Sequence, residues 1–455
     1  MALGAEHVDS FDTIAAVCTA RGRGGVGVIR ISGGRVPGIL EHWLPGEIKP
    51  RCATFRHFYG AENELIDQGL VIYFKAPHSF TGEEILELHG HGGPVVMDLL
   101  LARILSFGIR LARPGEFSER AYLNNKMDLA QAEAVADLID AQTRQAALSA
   151  SRSLLGVFSD QIQILSKEMM YLRMYVEAAI DFPDEEVDFL SDGKILSKIE
   201  ALIASLQALQ NSAKQGQLLK EGLSVAIVGQ PNAGKSSLLN ALTQHDSAIV
   251  TPIAGTTRDL IKESIQVEGM LVHLVDTAGI RSQADMIEQA GIERSQAQQR
   301  LADRILLLVD GTQTPLMTPI ENNILREYAH KVTVVINKID LIKPASQVVQ
   351  REYETVFLSA KTGEGIEDLK QHFKHCAGFQ GEAASNFSAR RRHLEALSKA
   401  FLHCEQAREQ LVKAKAGELV AEEIRFAQEA LGDILGKVTT EDVLGEIFSN
   451  FCIGK

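Results

Sequence analysis

No stretch of this chain constrains its fold more than Gly229-Gln230-Pro231-Asn232-Ala233-Gly234-Lys235-Ser236-Ser237. It follows the apolar run Val225-Ala226-Ile227-Val228 and precedes Leu238-Leu239-Asn240-Ala241-Leu242, so it reads as a strand, a glycine-bearing loop and a helix. A G-x-x-x-x-G-K-[ST] pattern has meaning only in that context. Loop amides can then close around a phosphate, and the helix adds its positive N-terminal end. Strand candidates at 223–228, 271–275, 304–309, 332–336 and 355–358 each precede a loop and a helical stretch. Together they predict a doubly wound sheet of parallel strands, a P-loop domain over residues 218–384.

The flanks have a different character. Residues 1–125 read as mixed α and β, with strands at 27–32, 69–74 and 84–89 and helical spacing from Val95 to Phe107. Residues 126–217 are nearly free of proline. Ala134, Leu138 and Ala141, then Leu154, Phe158, Ile162 and Leu165, recur at helical spacing. A break at Asp181–Glu186 separates these from a further helix carrying Ile195, Ile199, Leu202, Leu206 and Leu209. Residues 385–455 return to helical composition. The expected fold class is therefore multidomain α/β plus all-α: a mixed α+β N-terminal domain and a helical domain into which the P-loop domain is inserted. Such insertions are tolerated because domain termini often lie close together.

With 455 residues the chain has room for about three domains. No stretch approaches the ~18 uninterrupted apolar residues of a membrane span, and Met1–Asp12 carries acids without a basic cluster. Both features predict a cytoplasmic protein with no membrane partner. The net charge of −13 argues against coating by nucleic acid. Arg390-Arg391-Arg392-His393 is the best local basic patch, although such a run at a helix start is more often a solvated face. Cys18, Cys52, Cys376, Cys404 and Cys452 are odd in number and lack a C-x-x-C pair. They fit reduced thiols, neither a disulfide frame nor a structural zinc site.

Four segments in order specify the nucleotide. In the loop, Asn232, Ala233, Gly234, Lys235, Ser236 and Ser237 surround the phosphates, with Lys235 bridging the β- and γ-phosphates and Ser236 ligating Mg²⁺. Asp276-Thr277-Ala278-Gly279 follows an apolar strand and fits the segment that senses Mg²⁺ and the γ-phosphate. Asn337-Lys338-Ile339-Asp340 follows another. The Asp340 carboxylate can accept from both N1–H and the 2-amino group of guanine, which adenine cannot satisfy. Ser359-Ala360-Lys361 offers backbone contact to the base O6. The ligand is read as GTP. Thr251, Pro252, Ile253, Ala254, Gly255, Thr256 and Thr257 occupy the first switch window, with Thr257 the choice for the second Mg²⁺ ligand and Thr256 its alternative. Small signalling GTPases place a water-orienting Gln directly after D-x-x-G; here Ile280 stands there, so hydrolysis needs another polar residue, a partner or an ion.

With those residues in view, the chain resembles the MnmE (TrmE) family of tRNA-modification GTPases. The marks are Gly24-Gly25-Val26-Gly27 leading to Arg30-Ile31-Ser32, Leu88-His89-Gly90-His91-Gly92-Gly93-Pro94, Arg113-Pro114-Gly115-Glu116-Phe117-Ser118, Gly255-Thr256-Thr257-Arg258-Asp259, and the terminal Cys452-Ile453-Gly454-Lys455. The resemblance implies a homodimer whose N-terminal domains, residues 1–125, dimerise and bind a 5-formyl-tetrahydrofolate-type carrier. Arg30, Glu87, Lys126 and Lys455 match the family's folate-contacting positions. It also implies K⁺ ligation by Asn232, Thr251, Ile253 and Thr256, and a water-positioning role for Glu288. Lys235, Thr257 and Glu288 are thus the catalytic candidates. Cys452 lies where the family's tail cysteine nears the folate domain; both a plain thiol and a reactive one remain open. Implied too are tRNA as substrate, modified at C5 of the wobble uridine, and the FAD-dependent MnmG (GidA) protein as partner. Gln230 departs from the pattern where Arg is often seen, as does His89 where Gln is common. His89-x-His91 alone is a weak metal pattern. The rival reading, a GTP-controlled ribosome or RNA assembly protein, calls for a basic RNA-binding module that this composition does not offer.

Overall fold

Alternation along the N-terminal strands separates two chemistries, because successive strand residues face opposite sides of a sheet. In Gly27–Ser32, Ile29 and Ile31 are fully buried while Arg30 between them is part-exposed. The computed structural model describes residues 12–20, 22–181, 193–245, 262–276, 297–313, 316–342, 348–350, 353–379, 387–414, 416–437, 441–449 and 451–454. The chain divides into two compact units, one of residues 1–136 with 431–455 and one of residues 137–430.

Among the described residues of the first unit lie β1 (Ile14–Val17), β2 (Gly24–Ser32), β3 (Thr54–Tyr59), β4 (Leu65–Phe74), β5 (Ile85–Gly92) and β6 (Arg110–Leu111). They form a sheet in the order β3-β4-β5-β2-β1-β6. All neighbours are antiparallel except β1 and β6, which are parallel. Helices Val36–Trp43 and Pro94–Leu105 cover one face, where Ile29, Ile31, Leu86 and Leu88 meet Val36, Trp43, Met97 and Leu100. Burying each of these large side chains is worth roughly 1.5–3 kcal/mol. On the other face Ile14, Ala16, Ala112 and Phe117 make a smaller cluster edged by Phe80. The C-terminal helix Glu441–Ser449 and Phe451 pack Ile447, Phe448 and Phe451 against Leu129, Ala132 and Ala136.

The second unit holds β7 (Leu223–Gly229), β8 (Lys262–Val267), β9 (Met270–Asp276), β10 (Arg304–Asp310), β11 (Val332–Asn337), β12 (Val348–Gln350) and β13 (Glu354–Phe357). Their order is β12-β13-β11-β10-β7-β9-β8. The five predicted strands are present and mutually parallel, but two additional edge strands run antiparallel, β8 against β9 and β12 against β13. The β8–β9 hairpin turns through Glu268 and Gly269, both at positive φ (46° and 91°), the pairing that a primed two-residue turn needs. Asn-Gly is the usual sequence signal for that turn, and Glu-Gly lacks it. Apolar clusters lie on both faces of this sheet, which explains the uninterrupted run Ile305–Val309 and the run Val332–Ile336, broken only by the buried Thr333.

Helices before and after the α/β part pack together, as the insertion reading expects. Lys194–Glu221 lies against Arg391–Glu409, with Gln210 Nε2 donating to Ser398 Oγ at 3.3 Å. The Phe158 and Phe387 rings stack at 4.5 Å. The apolar series from Leu154 to Leu165 is not one helix: Gly156, at φ 92°, separates Arg144–Leu154 from Val157–Asp181. The basic run at 390–393 is not an open patch, and it is a solvated face only in part. Arg390 donates to Asp137 Oδ1 at 2.6 Å, and Lys220 lies 3.1 Å from the same oxygen. His393 is 2% exposed and packs on Phe158; Arg391 is solvated and pairs with Glu395. The Asp137 carboxylate thus turns part of a charge run into helix–helix glue. Among the described residues no helix is long and apolar enough to cross a membrane.

Candidate functional site

The phosphate loop leaves β7 beside β10, where the strand order reverses direction, and open α/β sheets bind ligands at such a crevice. Asn232 adopts the left-handed region at φ 69°, rare for a residue with a side chain. Gly234 follows at φ 100°, and a Cβ there would stand 2.3 Å from Asn337 Nδ2. Only glycine lets the loop close so tightly on its neighbour. Lys235 is 9% exposed, and its Nζ donates to the carbonyls of Gly229 and Gln230 at 2.8 and 2.7 Å. These bonds hold the ammonium over the loop. Ser236 and Ser237 are exposed in the first turn of helix Lys235–His245, where amides lack intrahelical acceptors and suit an anion.

Asn337, 3% exposed, joins the two halves of the site. Its Nδ2 donates to Ala233 O at 2.8 Å, while its Oδ1 accepts from the amides of Ala360 at 2.9 Å and Lys338 at 2.8 Å. The phosphate loop and the 359–361 loop are therefore cross-tied by one amide side chain. Asp340 Oδ1 accepts from Ser359 Oγ at 2.8 Å, and Oδ2 has no partner among the described residues. That leaves acceptor capacity for a donor–donor edge such as guanine's. Ser359 is fully buried, Ala360 nearly so, and Lys361 exposed.

Two contributors are absent from the sequence reading. Lys338, at φ 64°, places Nζ 2.6 Å from Asp310 Oδ2, and the Thr312 amide and hydroxyl donate to Oδ1 at 3.0 and 2.7 Å. Burial pushes the Asp310 carboxyl up, but Lys338 and Thr312 outweigh it and hold it below its ordinary range. The signal was an acid closing the apolar strand Ile305–Val309. Glu321, 3% exposed, accepts from Thr318 N and Oγ1 at 2.7 and 2.8 Å and lies 3.5 Å from Gln230 Nε2. Its signal was the capping box Thr318-Pro319-Ile320-Glu321.

Asp276 closes β9 opposite Ile227. Thr251, Pro252, Ile253, Ala254, Gly255, Thr256, Thr257, Thr277, Ala278, Gly279, Ile280 and Glu288 lie outside the described residues, as does Lys455. For Mg²⁺, the described part offers the exposed Ser236 hydroxyl beside the loop. For K⁺ it offers the exposed Asn232.

A second polar constellation occupies the first unit. Arg30 and Glu87 are register partners across β2 and β5, with Arg30 Nε and Nη2 at 2.9 and 2.8 Å from Glu87 Oε1. His89 Nε2 lies 3.3 Å from Glu87 Oε2. The Arg30 guanidinium sits 5.3 Å from the Phe80 ring centre and 5.7 Å from that of Phe117. Lys126 runs its methylene stem beside Gly82. The tail arrives from the far end of the chain: Gly454, at φ 97°, has no room for a Cβ against Val17 O and the Cys18 Cα. Burial pushes the Cys18 thiol up, Arg30 partly opposing it. Cys452 is exposed, and its carbonyl accepts from Gly115 N at 3.4 Å. His91 pairs with Asp67 at 2.7 Å, so each histidine of the His89-x-His91 pattern faces a carboxylate.

The Arg113–Ser118 motif anchors this arrangement. Gly115, at φ 67°, lies where a Cβ would meet Phe448 O at 2.5 Å. Glu116 and Arg120, both 1% exposed, pair at 3.0 Å. Arg110 also bonds Glu116, and Arg120 reaches Glu83 and Asp12. Burial opposes the Glu116 charge, yet Arg110, the Arg113 amide and Arg120 hold its carboxyl down at about 2.

Comparison with known proteins covers nearly the whole chain. The MnmE helical domain model matches residues 129–452, and the model for the N-terminus of GTP-binding protein TrmE matches residues 13–126. The tRNA modification GTPase MnmE of Proteus mirabilis (strain HI4320) is 52% identical over 454 residues, covering 98% of this chain and 100% of that protein. The proteins of the same name from Shewanella amazonensis (strain ATCC BAA-1098 / SB2B) and Ectopseudomonas mendocina (strain ymp) are each 53% identical, covering 98% of this chain and 99% of theirs. Two models and identity above half from end to end agree: the chain belongs to the MnmE (TrmE) family of tRNA modification GTPases.

Proposed function

We propose that this GTPase serves modification of the wobble uridine (U34) of tRNA at C5. It takes part in adding an aminomethyl or carboxymethylaminomethyl group whose methylene carbon derives from a 5-formyl-tetrahydrofolate-type carrier. The observation that carries this reading is the Arg30–Glu87 pair on a sheet face against which the chain's own tail is laid. A pterin presents a donor-rich edge suited to a carboxylate such as Glu87, and a glutamate tail suits Arg30, Lys126 and Lys455. Cys452, exposed on that tail, is within the same region. The working form is a homodimer joined by an FAD-dependent MnmG (GidA) partner in the cytoplasm. Its functional parts are residues 1–125 for folate and dimerisation, 126–217 and 385–455 for the helical frame, and 218–384 for the nucleotide.

In the nucleotide part, Lys235 neutralises phosphate charge, Asp340 selects guanine, and Ser236 with Thr257 or Thr256 holds Mg²⁺. That ion, when bound, polarises the phosphoryl oxygens. Asn232, with oxygens of Thr251, Ile253 and Thr256, holds K⁺, and Glu288 positions the attacking water. GTP turnover then times dimer opening and closing, while the carbon chemistry belongs to the folate face. Against the RNA-assembly rival stands the acidic balance of the chain, and within the basic run at 390–393 Arg390 and His393 are used internally.

The direct test is nucleoside analysis of tRNA from cells lacking the protein, complemented with Glu87→Ala or Lys235→Ala. Both variants should fail to restore the C5-modified uridine, with Glu87→Ala still hydrolysing GTP; full modification in the deleted strain ends the proposal. Separately, equal hydrolysis rates in K⁺ and Na⁺ salts would remove the cation role of Asn232.

A further inference from the structure

The start of β13 and the end of helix Ile366–Ala377 lie away from the 359–361 loop, which joins their other ends. There Glu354, His375 and Cys376 bring a carboxylate oxygen, a ring nitrogen and Sγ within 4.8 Å of one another. His372 adds a buried donor: its Nε2 stands 3.2 Å from Cys376 Sγ and 3.7 Å from Glu354 Oε2. The third side of that triangle, Sγ to Oε2, is also 3.7 Å. Around a tetrahedral Zn²⁺ with Zn–S of about 2.3 Å and Zn–N or Zn–O of about 2.0–2.1 Å, ligand atoms sit roughly 3.3–3.6 Å apart. The triangle therefore has the size of a zinc polyhedron face. His372, His375 and Cys376 occupy helix positions i, i+3 and i+4, one side of the cylinder. His375 is exposed and gives an ion a way in, whereas His372 is buried and part of the fold.

We propose that Glu354, His372, His375 and Cys376 form a binding site for a zinc-class divalent cation. Nitrogen, sulfur and carboxylate donors together favour such a borderline ion over Mg²⁺, which prefers all-oxygen shells. Two neighbours oppose it. The Thr333 hydroxyl lies 2.9 Å from His372 Nε2 and must yield that contact, and the Arg304 guanidinium lies 3.5 Å from Glu354 Oε2. The bound ion clips β13 to its following helix at the end away from the base loop. The sequence pattern hides the site because the donors are split over 22 residues without paired cysteines.

The test uses the full chain, stripped with a chelator and saturated with GDP and Mg²⁺, then titrated with zinc chloride against a chromophoric competitor. The wild type should hold one equivalent, weakened about tenfold or more in His375→Ala and Cys376→Ser. Substituted Co²⁺ should show a thiolate charge-transfer band that Cys376→Ser abolishes and Cys52→Ser retains. Absence of tight zinc in the wild type, unchanged affinity in His375→Ala, or a band that survives Cys376→Ser each overturns the site. His375 is exposed, so its variant gives a result even where Cys376→Ser folds poorly.

Discussion

The nucleotide site and the Arg30–Glu87 face both use a sheet as a platform, but they are assembled over very different distances along the chain. Among the described residues the nucleotide loops are three short contiguous segments at strand ends, and one buried side chain, Asn337, ties the other two together. The face in the first unit instead collects Arg30 and Glu87 from paired strands, Phe117 from a helix and Gly454 from the chain's end. The first depends on local backbone conformation. The second depends on long-range closure, maintained by the Glu116–Arg120 pair and by Gly115 beneath the tail. Damage to one site should therefore leave the other working.

The largest effect is expected from Glu116→Ala. Removing the buried carboxylate that Arg120 and Arg110 share should cost about 3–5 kcal/mol in the first unit, read as a lower denaturant midpoint, with GTP hydrolysis retained. Acid reports the same pair. Glu116 titrates at about 2 in the fold against an ordinary 4.5, so its contribution is complete above about 4.5 and disappears as pH falls toward 2. Glu116→Gln should flatten that limb of the stability curve. If Glu116→Ala abolishes hydrolysis in a protein that still folds, the separation is wrong.

Next in size, Lys235→Ala should lower kcat/KM for GTP by about 10²–10³, measured by phosphate release. Binding of 5-formyl-tetrahydrofolate to the same variant should not change. For Asn337→Ala, the carbonyl of Ala233 and the amide of Ala360 each lose a partner, at about 1–3 kcal/mol per buried group. GDP affinity, followed by calorimetry, should fall about 10–100-fold while the Arg30–Glu87 face is again untouched. The smallest effect belongs to Gly115→Ala, whose positive φ and contact with Phe448 O cost about 1–3 kcal/mol. Carboxypeptidase should then trim the tail faster at unchanged GTP hydrolysis.

Much of the second unit was legible because fully buried parallel strands write near-continuous apolar runs, as Ile305–Val309 and, with Thr333 the one exception, Val332–Ile336 do. The edge strand β8 escaped notice since Lys262–Val267 alternates polar residues with the buried Ile265 and Val267 and closes through Glu268-Gly269. Asp310 and Glu321 were missed for another reason. Their partners, Lys338 and Gln230, are distant in sequence, and only strand adjacency brings them near. The run at 390–393 misled because charge patterning cannot register an Asp137 waiting on another helix.

By itself the sequence marked out the loop at 229–237, the strand-end segments 337–340 and 359–361 and the helical frame around them. These rest on glycine conformations, strand-end positions and 3.6-residue periodicity, all properties of neighbours in the chain. The tertiary structure alone decided that Asn337 is a cross-tie, that Arg390 and His393 are internal, and that Gly454 comes to rest beside Cys18. Such outcomes depend on which distant groups become neighbours once the apolar faces are buried, and local pattern does not encode that pairing.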